Sequence, residues 1–256
     1  MTRVAGTADI GKRLGIVVPS VNTVVDPWYS KAVPDGVNVF IDRMMLGDKV
    51  SADSLIRMDH DEGMPALKRL ATCRPHALAY GCTASSIVQG WEYDAKLRKQ
   101  ITDETGLPAT TACEAIRQAL LAVGAKRIVI VSPYVDEIDH REVVFFEQAG
   151  FEVIGSDNFG INNTFELAAP TAAEIKDLAR GAWKPEADAL LISCLNMRSH
   201  LVIDELEKEL GKPVVTSTQA TLWHLMRLGG ANDALPGYGK LMTLPLAPIP
   251  GAKMGG

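Results

Sequence analysis

The stretch Lys12-Arg-Leu-Gly-Ile-Val-Val-Pro-Ser-Val-Asn-Thr23 decides the fold, because it recurs in outline 114 positions later as Lys126-Arg-Ile-Val-Ile-Val-Ser-Pro-Tyr-Val-Asp-Glu137. Each copy is a short, β-branched apolar run followed by proline and polar residues. This composition is typical of a buried strand that leads into a loop. Two such copies in a chain of 256 residues predict an internal duplication.

Two further pairs of segments match in the same order. In the second pair, a short apolar run ends at Cys82 in the first half and at Cys194 in the second half. In the third pair, residues 107–112 match residues 212–217, and both segments lead into a helical pattern that ends near glycine. Three ordered matches predict two pseudo-symmetric lobes.

The apolar runs alternate with amphipathic stretches, and this alternation predicts parallel sheets built from βαβ units. The predicted strands are Arg13–Val18, Val37–Ile41, Ala77–Tyr80, Arg127–Val131, Glu152–Ile154, Ala189–Ile192 and Pro213–Thr216. The predicted helices cover residues 51–73, 85–105, 112–123, 139–149, 172–182, 201–210 and 219–228. We therefore expect an α/β fold of two flavodoxin-like lobes, each with a parallel sheet flanked by helices.

The composition disfavours several classes of function. The formal net charge is −5 and no run of lysine and arginine stands out, so we expect no nucleic-acid partner. No apolar stretch reaches the roughly 18 residues that a membrane span needs. Residues 1–10 lack the apolar core of a signal peptide, so we expect a cytoplasmic protein, and the residues after Leu244 look like a loose extension.

The spacing of the cysteines and the absence of known cofactor motifs indicate chemistry that needs no metal or cofactor. Cysteines at positions 73, 82, 113 and 194 form no CxxC pair and have no metal-ligand spacing, so we expect free thiols and no metal site. The chain also lacks the glycine-rich loops that bind dinucleotides or phosphates.

Ligands of open parallel sheets bind beyond the carboxyl ends of the strands. Four predicted loops lie there: Pro19–Thr23, Gly81–Ser86, Pro133–Asp136 and Ser193–Arg198. If the lobes face each other, these loops line one cleft, and such clefts commonly bind small ligands. We therefore expect the active site between the lobes.

Cys82 and Cys194 are the strongest candidates for chemistry. Each follows a strand and precedes a helix N-terminus, a position that lowers the pKa of a thiol and favours the thiolate. A thiolate can take a proton from carbon or add to an activated double bond. A single cysteine is more often a buried structural residue, which is how we interpret Cys73 and Cys113, but matched placement in a duplication favours function for this pair.

Small polar residues near the thiols are candidates for carboxylate binding. Gly81 and Thr83 could offer N–H and O–H donors, or form an ordinary capped turn. Asn22 and Asn163 carry amides that bind a carboxylate without adding charge, although asparagine is also a common turn residue. Tyr134 could direct its hydroxyl into the cleft, or pack its ring half-buried in a loop.

In these motifs the chain resembles the aspartate/glutamate racemase superfamily, and within it the branch of maleate cis-trans isomerases and arylmalonate decarboxylases. The resemblance extends from about Arg13 to Gly230. The motifs that carry it are Val18-Pro-Ser-Val-Asn-Thr23, Tyr80-Gly-Cys-Thr-Ala-Ser-Ser86, Val131-Ser-Pro-Tyr134, Asn162-Asn163 and Ser193-Cys-Leu-Asn-Met-Arg198. The resemblance implies a cofactor-independent enzyme that acts on a small carboxylate.

The resemblance also implies how the chain is divided. The last helix returns to the first lobe, so residues 1–112 and 217–256 form the first lobe and residues 113–216 form the second. A homo-oligomer, either a dimer or a tetramer, is expected as well.

The same resemblance implies roles for the site residues. In the isomerases one cysteine adds to the double bond of maleate, the adduct rotates about its new single bond, and elimination yields fumarate. By position the nucleophile is Cys82, while Cys194 supplies and recovers the proton at the neighbouring carbon. The residues expected to bind the substrate are Ser20, Asn22, Thr83, Tyr134, Asn163 and Leu195.

Departures from the family patterns define the alternatives. Arylmalonate decarboxylases keep only the second cysteine, so Cys82 disfavours that activity. Racemases follow their cysteines with Asn-Thr and Thr-His, whereas this chain has Thr83-Ala84 and Leu195-Asn196. Leu195 also stands where isomerases have threonine. We predict a cis-trans isomerase of a small unsaturated dicarboxylate, with a racemase or decarboxylase as the alternative enzyme and a small-anion binding protein as the non-catalytic alternative.

Overall fold

The chain folds around two parallel sheets of the same topology. The computed structural model describes residues 10–246, and within them each sheet has four strands. The first sheet contains β1 (Lys12–Pro19), β2 (Val37–Met44), β3 (Ala77–Tyr80) and β4 (Ala109–Thr111). The second contains β5 (Arg127–Ser132), β6 (Glu152–Asn158), β7 (Ala189–Ile192) and β8 (Val214–Thr216). The orders are β2-β1-β3-β4 and β6-β5-β7-β8, which confirms the predicted duplicated α/β fold.

The helices follow the strands as βαβ units require. Within residues 10–246 they are α1 (Val25–Ala32), α2 (Ala52–Met58), α3 (Met64–Ala71), α4 (Thr83–Gln89), α5 (Trp91–Thr105), α6 (Ala112–Ala122), α7 (Asp136–Gln148), α8 (Ala172–Ala182), α9 (Ile203–Leu210) and α10 (Ser217–Leu228). The sequence prediction omitted α1 and β4. β4 has only three residues, too few for a periodic pattern to be recognised.

Two long predicted helices are broken in the structure. The helix predicted over residues 51–73 is divided into α2, a π-helical turn at Asp59–Gly63, and α3. The helix predicted over residues 85–105 is divided at Gly90, whose φ of +93° ends α4 and precedes α5. A positive φ of this size favours glycine, so the break is fixed by the sequence.

The core of each lobe lies on both faces of its sheet. The central strands β3 and β7 are buried at every residue, which explains why they are continuous apolar runs without alternation. Both strands end immediately before a small residue and a cysteine. The fold therefore brings the two thiols to equivalent edges of the two sheets.

The last helix, α10, packs against strands β3 and β4 of the first sheet and against α6. The Tyr29 hydroxyl donates a hydrogen bond to the Thr218 carbonyl oxygen at 2.8 Å, which ties α10 to α1. Farther along the helix, His224 Nδ1 and Thr110 Oγ1 are 2.8 Å apart. The exact division into lobes at residues 112 and 217 stays a prediction.

Some sequence predictions concern segments outside the described residues. These segments are the first nine residues and most of the extension after Leu244. Within residues 10–246, no helix combines the length and the apolar composition that a membrane crossing needs.

Candidate active site

The loops after β1, β3, β5 and β7 meet around a small cavity between the sheets. The cavity has a volume of about 40 Å³ and is lined by both Cys82 and Cys194. This volume holds a few water molecules at most and is too small for a dicarboxylate, so we call this narrow conformation closed. A larger groove of about 650 Å³ near Trp28 and Arg198 contains neither cysteine.

Cys82 is positioned by a glycine that no other residue can replace without a clash. The Gly81 N–H donates a hydrogen bond to the Val17 carbonyl oxygen at 2.8 Å, and a Cβ at Gly81 would lie 2.7 Å from the same oxygen. Cys82 then precedes α4 with extended backbone, and the backbone N–H groups of Ser85 and Ala84 at the start of the helix lower the pKa of its thiol. Cys82 as a whole residue is 6% exposed.

Cys194 is held in a different way. Its φ is +84°, in the left-handed region that a residue with a side chain rarely adopts. The preceding Ser193 N–H donates to the Val131 carbonyl oxygen at 2.8 Å, and the Asn196 N–H lies 3.4 Å from the Cys194 sulfur. Such strain persists only where the surroundings fix it, and it is concentrated at functional sites.

Burial raises the pKa of both thiols. The pKa of Cys82 rises to about 12 and that of Cys194 to about 11, in each case mainly because the thiolate would lose its hydration. The sequence prediction of lowered pKa values is therefore wrong for the closed site. The helix N–H groups do lower the pKa of Cys82, but desolvation outweighs them. Both groups carry their protons at neutral pH in this conformation.

Three of the predicted binding residues present polar groups to the cavity. Tyr134 is 1% exposed, and its hydroxyl makes a hydrogen bond with Cys194 that lowers the pKa of the thiol. Asn22 accepts hydrogen bonds from Val24 N–H and Val25 N–H through Oδ1, which starts α1 and fixes its amide beside the cavity. Thr83 Oγ1 has no hydrogen-bond partner among the described residues, so it can donate to a ligand.

The rest of the wall is apolar. Leu195, as predicted, lines the cavity beside Cys194. The other apolar residues of the wall come from separate loops and helices: Val21, Leu46, Val50, Leu55, Ala84 and Leu167. The cavity can therefore bind a small molecule that has polar groups at one end and hydrocarbon at the other.

Ser20 and Asn163 lie outside the cavity. The Ser20 hydroxyl accepts a hydrogen bond from the Leu46 N–H at 3.1 Å. The exposed Asn163 accepts hydrogen bonds from the N–H groups of Phe165 and Glu166 at 2.9 and 3.2 Å. Both side chains shape loops in this closed conformation, which is the common role of asparagine and serine in turns.

Asn196 was not among the predicted site residues, yet it lines the cavity and joins three segments. Its Oδ1 accepts a hydrogen bond from the Thr23 N–H at 2.9 Å, while Nδ2 donates to the carbonyl oxygens of Val21 and Thr164 at 3.4 and 3.3 Å. Its position in the sequence, two residues after Cys194, was the signal from which this role could have been predicted.

Two loops beside the cavity, residues 47–50 and 162–164, are joined by a clasp of hydrogen bonds. The Thr164 N–H donates to the Asp48 carbonyl oxygen at 3.0 Å, and the Thr164 hydroxyl donates to the Gly47 carbonyl oxygen at 2.9 Å. In the opposite direction, the Val50 N–H donates to the Asn162 carbonyl oxygen at 2.8 Å. Val50 and Leu167, which lie within or near these two loops, line the cavity together with both thiols.

Within residues 10–246 no group of three or more histidine, cysteine, aspartate or glutamate side chains is arranged to hold a metal ion. The four cysteines are free; Cys73 is exposed, whereas the other three are buried.

Known proteins match this chain over nearly its whole length. A family profile described as Amdase, arylmalonate decarboxylase, matches residues 14–242. The arylmalonate decarboxylase of Bordetella bronchiseptica is 28% identical over 230 residues, which cover 87% of this chain and 96% of that protein. A maleate isomerase of Pseudomonas putida is 26% identical over 244 residues, which cover 90% of this chain and 97% of that protein.

Solved structures share the fold. The maleate cis-trans isomerase of Nocardia farcinica, in a mutant with a covalently bound succinylcysteine intermediate, gives a TM-score of 0.85 at 24% identity and covers 91% of this chain and 98% of its own. A liganded arylmalonate decarboxylase mutant gives a TM-score of 0.83 at 26% identity, with 90% and 98% covered. The predicted branch of the superfamily is confirmed, and the chain belongs to the arylmalonate decarboxylase family.

Proposed function

We propose that the protein is a cofactor-independent cis-trans isomerase of a small unsaturated dicarboxylate, of the maleate-to-fumarate type. The observation that carries the proposal is the pair of thiols, Cys82 and Cys194, on the wall of one cavity that also contains the polar groups of Asn22, Thr83 and Tyr134. A site built only for binding does not need two reactive groups facing the same ligand.

Opening of the site would activate the nucleophile. In the closed cavity the pKa of Cys82 is about 12, against an ordinary value of 9.0. Hydration of the open cavity removes the desolvation that raises this pKa, and a return to the ordinary value would make thiolate formation easier by about 4 kcal/mol. The Cys82 proton leaves to water at this stage, and the N–H groups of Ala84 and Ser85 then stabilise the sulfur anion.

The proposed reaction balances with these two groups. The Cys82 thiolate forms a carbon–sulfur bond at one alkene carbon, and Cys194 gives its proton to the other carbon. The new carbon–carbon single bond rotates. The Cys194 thiolate then takes a proton back, the carbon–sulfur bond breaks, and the trans alkene forms. The succinylcysteine intermediate of the Nocardia farcinica isomerase supports this type of covalent step.

The apolar wall favours a substrate that carries a hydrocarbon substituent. Leu195 stands beside Cys194, and Leu46, Val50 and Leu167 cover the same space. A methyl group that packs against these side chains would bury apolar surface, which contributes about 0.8 kcal/mol. We therefore expect methyl-substituted maleate to be turned over more efficiently than maleate itself.

Proton NMR with maleate, methylmaleate and related cis acids tests the proposal. Cys82→Ala should abolish both turnover and the covalent adduct seen by mass spectrometry of the intact protein, whereas Cys73→Ala, which alters an exposed thiol, should change neither. Full activity of Cys82→Ala would remove this residue as the nucleophile, and no turnover of any cis acid would contradict the proposed reaction.

The second candidate is decarboxylation of a substituted malonate. It is supported by the apolar wall and by the similarity to the Bordetella bronchiseptica decarboxylase. Release of carbon dioxide from an arylmalonate, with no isomerisation of cis acids, would favour this reaction. Deuterium exchange from solvent at the α-carbon of an amino acid would instead favour a racemase.

A further inference from the structure

A buried carboxyl group lies behind Cys194 and has no role in the reaction described above. Glu142 is on α7 and is 0% exposed. The Ser193 hydroxyl donates a hydrogen bond to Glu142 Oε1 at 2.5 Å, and Oε2 has no partner among the described residues. Ser193 immediately precedes the strained Cys194, so the carboxyl group contacts the segment that fixes the thiol.

The position of Glu142 is unusual for a charged residue. On α7 it shares a buried face with Ile138, Phe145 and Phe146, where an amphipathic helix normally has an apolar residue. A carboxylate buried with one hydrogen bond is unstable, because its second oxygen has lost water without gaining a donor. Burial accordingly raises the pKa of Glu142 to about 8, even though the Ser193 hydroxyl lowers it.

Several ionisable groups on different elements lie close enough to interact electrostatically with this carboxyl group. Asp139 lies on the same helix and raises the pKa of Glu142. A charge on Glu142 raises the pKa of Tyr134 in the loop after β5, of Cys113 on α6 and of Cys194 after β7. No positively charged partner acts on Glu142 within the described part of the chain. An ionised Glu142 would therefore oppose any negative charge at the second thiol.

We propose that Glu142 is a positioning residue for Cys194: its uncharged carboxyl group holds Ser193 in place and allows the thiol to exchange its proton. Once Glu142 ionises, Cys194 becomes a weaker acid, since its thiolate would form beside a carboxylate. The catalytic consequence rests on the proposed function, whereas the effect on the acidity of Cys194 does not.

The acidity of Cys194 can be measured without a substrate. The pH dependence of iodoacetamide labelling, followed by mass spectrometry of peptides, separates Cys194 from the other cysteines. Glu142→Gln keeps the size and an acceptor for Ser193 but cannot ionise. It should move the midpoint for Cys194 labelling to lower pH by about 1 unit, the lower end of what a nearby charge produces. Glu147→Gln, an exposed change on the same helix, should leave the midpoint unchanged.

The activity profile gives the second readout. Relative to Glu142→Gln, turnover by the unaltered protein should decline as the pH rises through about 8, because only the unaltered protein gains a carboxylate beside Cys194. Ser193→Ala takes away the hydrogen bond that lowers the pKa of Glu142, so the decline should move to higher pH. An unchanged labelling midpoint in Glu142→Gln would overturn the inference. If labelling shifts but no cis acid is turned over, the proposed function fails and the inference about Cys194 stands.

Discussion

Gly81→Ala should destabilise the protein and displace the nucleophile. The added Cβ would lie 2.7 Å from the Val17 carbonyl oxygen, 2.9 Å from Ile16 Cδ1 and 3.0 Å from Val18 Cγ1. The nearest of these atoms is backbone, and it also accepts the Gly81 hydrogen bond at 2.8 Å. The end of β3 would therefore have to separate from β1.

The size of the effect follows from two contributions. Overpacking a tight site costs about 1–3 kcal/mol, and loss of the hydrogen bond adds about 1 kcal/mol. A total of about 3 kcal/mol lowers the Tm of a chain of this length by about 9 °C. Because Cys82 is the next residue, iodoacetamide labelling of Cys82 and turnover should both change.

Urea and thermal unfolding measure this effect, with Gly181→Ala as the matched control. Gly181 lies inside α8 with open space around its Cβ position, so alanine there should stabilise the helix by about 0.5–1 kcal/mol. A Gly81→Ala protein as stable as the unaltered chain would refute the packing around Cys82 described here.

Three further outcomes are expected. Asn196→Ala removes the contacts that join the Cys194 loop to the first lobe and leaves the Thr23 N–H unpaired, so the free energy of unfolding should fall by about 2 kcal/mol in urea titrations. Thr164→Val removes one hydrogen bond of the clasp, so the amide of Val50 should exchange with deuterium faster while the global stability falls by only about 1 kcal/mol. The raised pKa of Glu142 stabilises the folded chain most fully below its ordinary pKa of 4.5, and this stabilisation is lost as the pH rises through about 8. The free energy of unfolding should therefore drop by roughly 3 kcal/mol between pH 6 and pH 9. Glu142→Gln, which cannot ionise, should show a much smaller drop.

The fold could be predicted from the sequence because the duplication repeats the buried strands. Each of these apolar runs occurs in both halves, so each occurrence supports the assignment of the other as a strand. The structure has strands at these positions: β1, β3, β5 and β7. The break at Gly90 was harder to predict, since apolar residues continue on both sides of it. The π-helical turn Asp59–Gly63 is a polar stretch between two helical patterns, which is also typical of the exposed face of one long helix.

The candidate site was predictable only in part. The thiols, Asn22 and Tyr134 lie on loops fixed by the strand order, so strand positions were enough to bring them together. The apolar wall draws Leu46 and Leu167 from loops far apart in the chain, and their meeting depends on the clasp. The pKa values could not be inferred from helix position alone, because the degree of burial decides which effect is larger.

The placement of α10 has a consequence for how the chain is made. The strands of the first sheet are complete at Thr111, yet the helix that covers β3 and β4 begins at Ser217. During synthesis, one apolar face of the first sheet therefore remains uncovered until the ribosome has added more than a hundred further residues. Such a chain is expected to depend on protection of that face by a chaperone, and to fold as one cooperative unit rather than lobe by lobe.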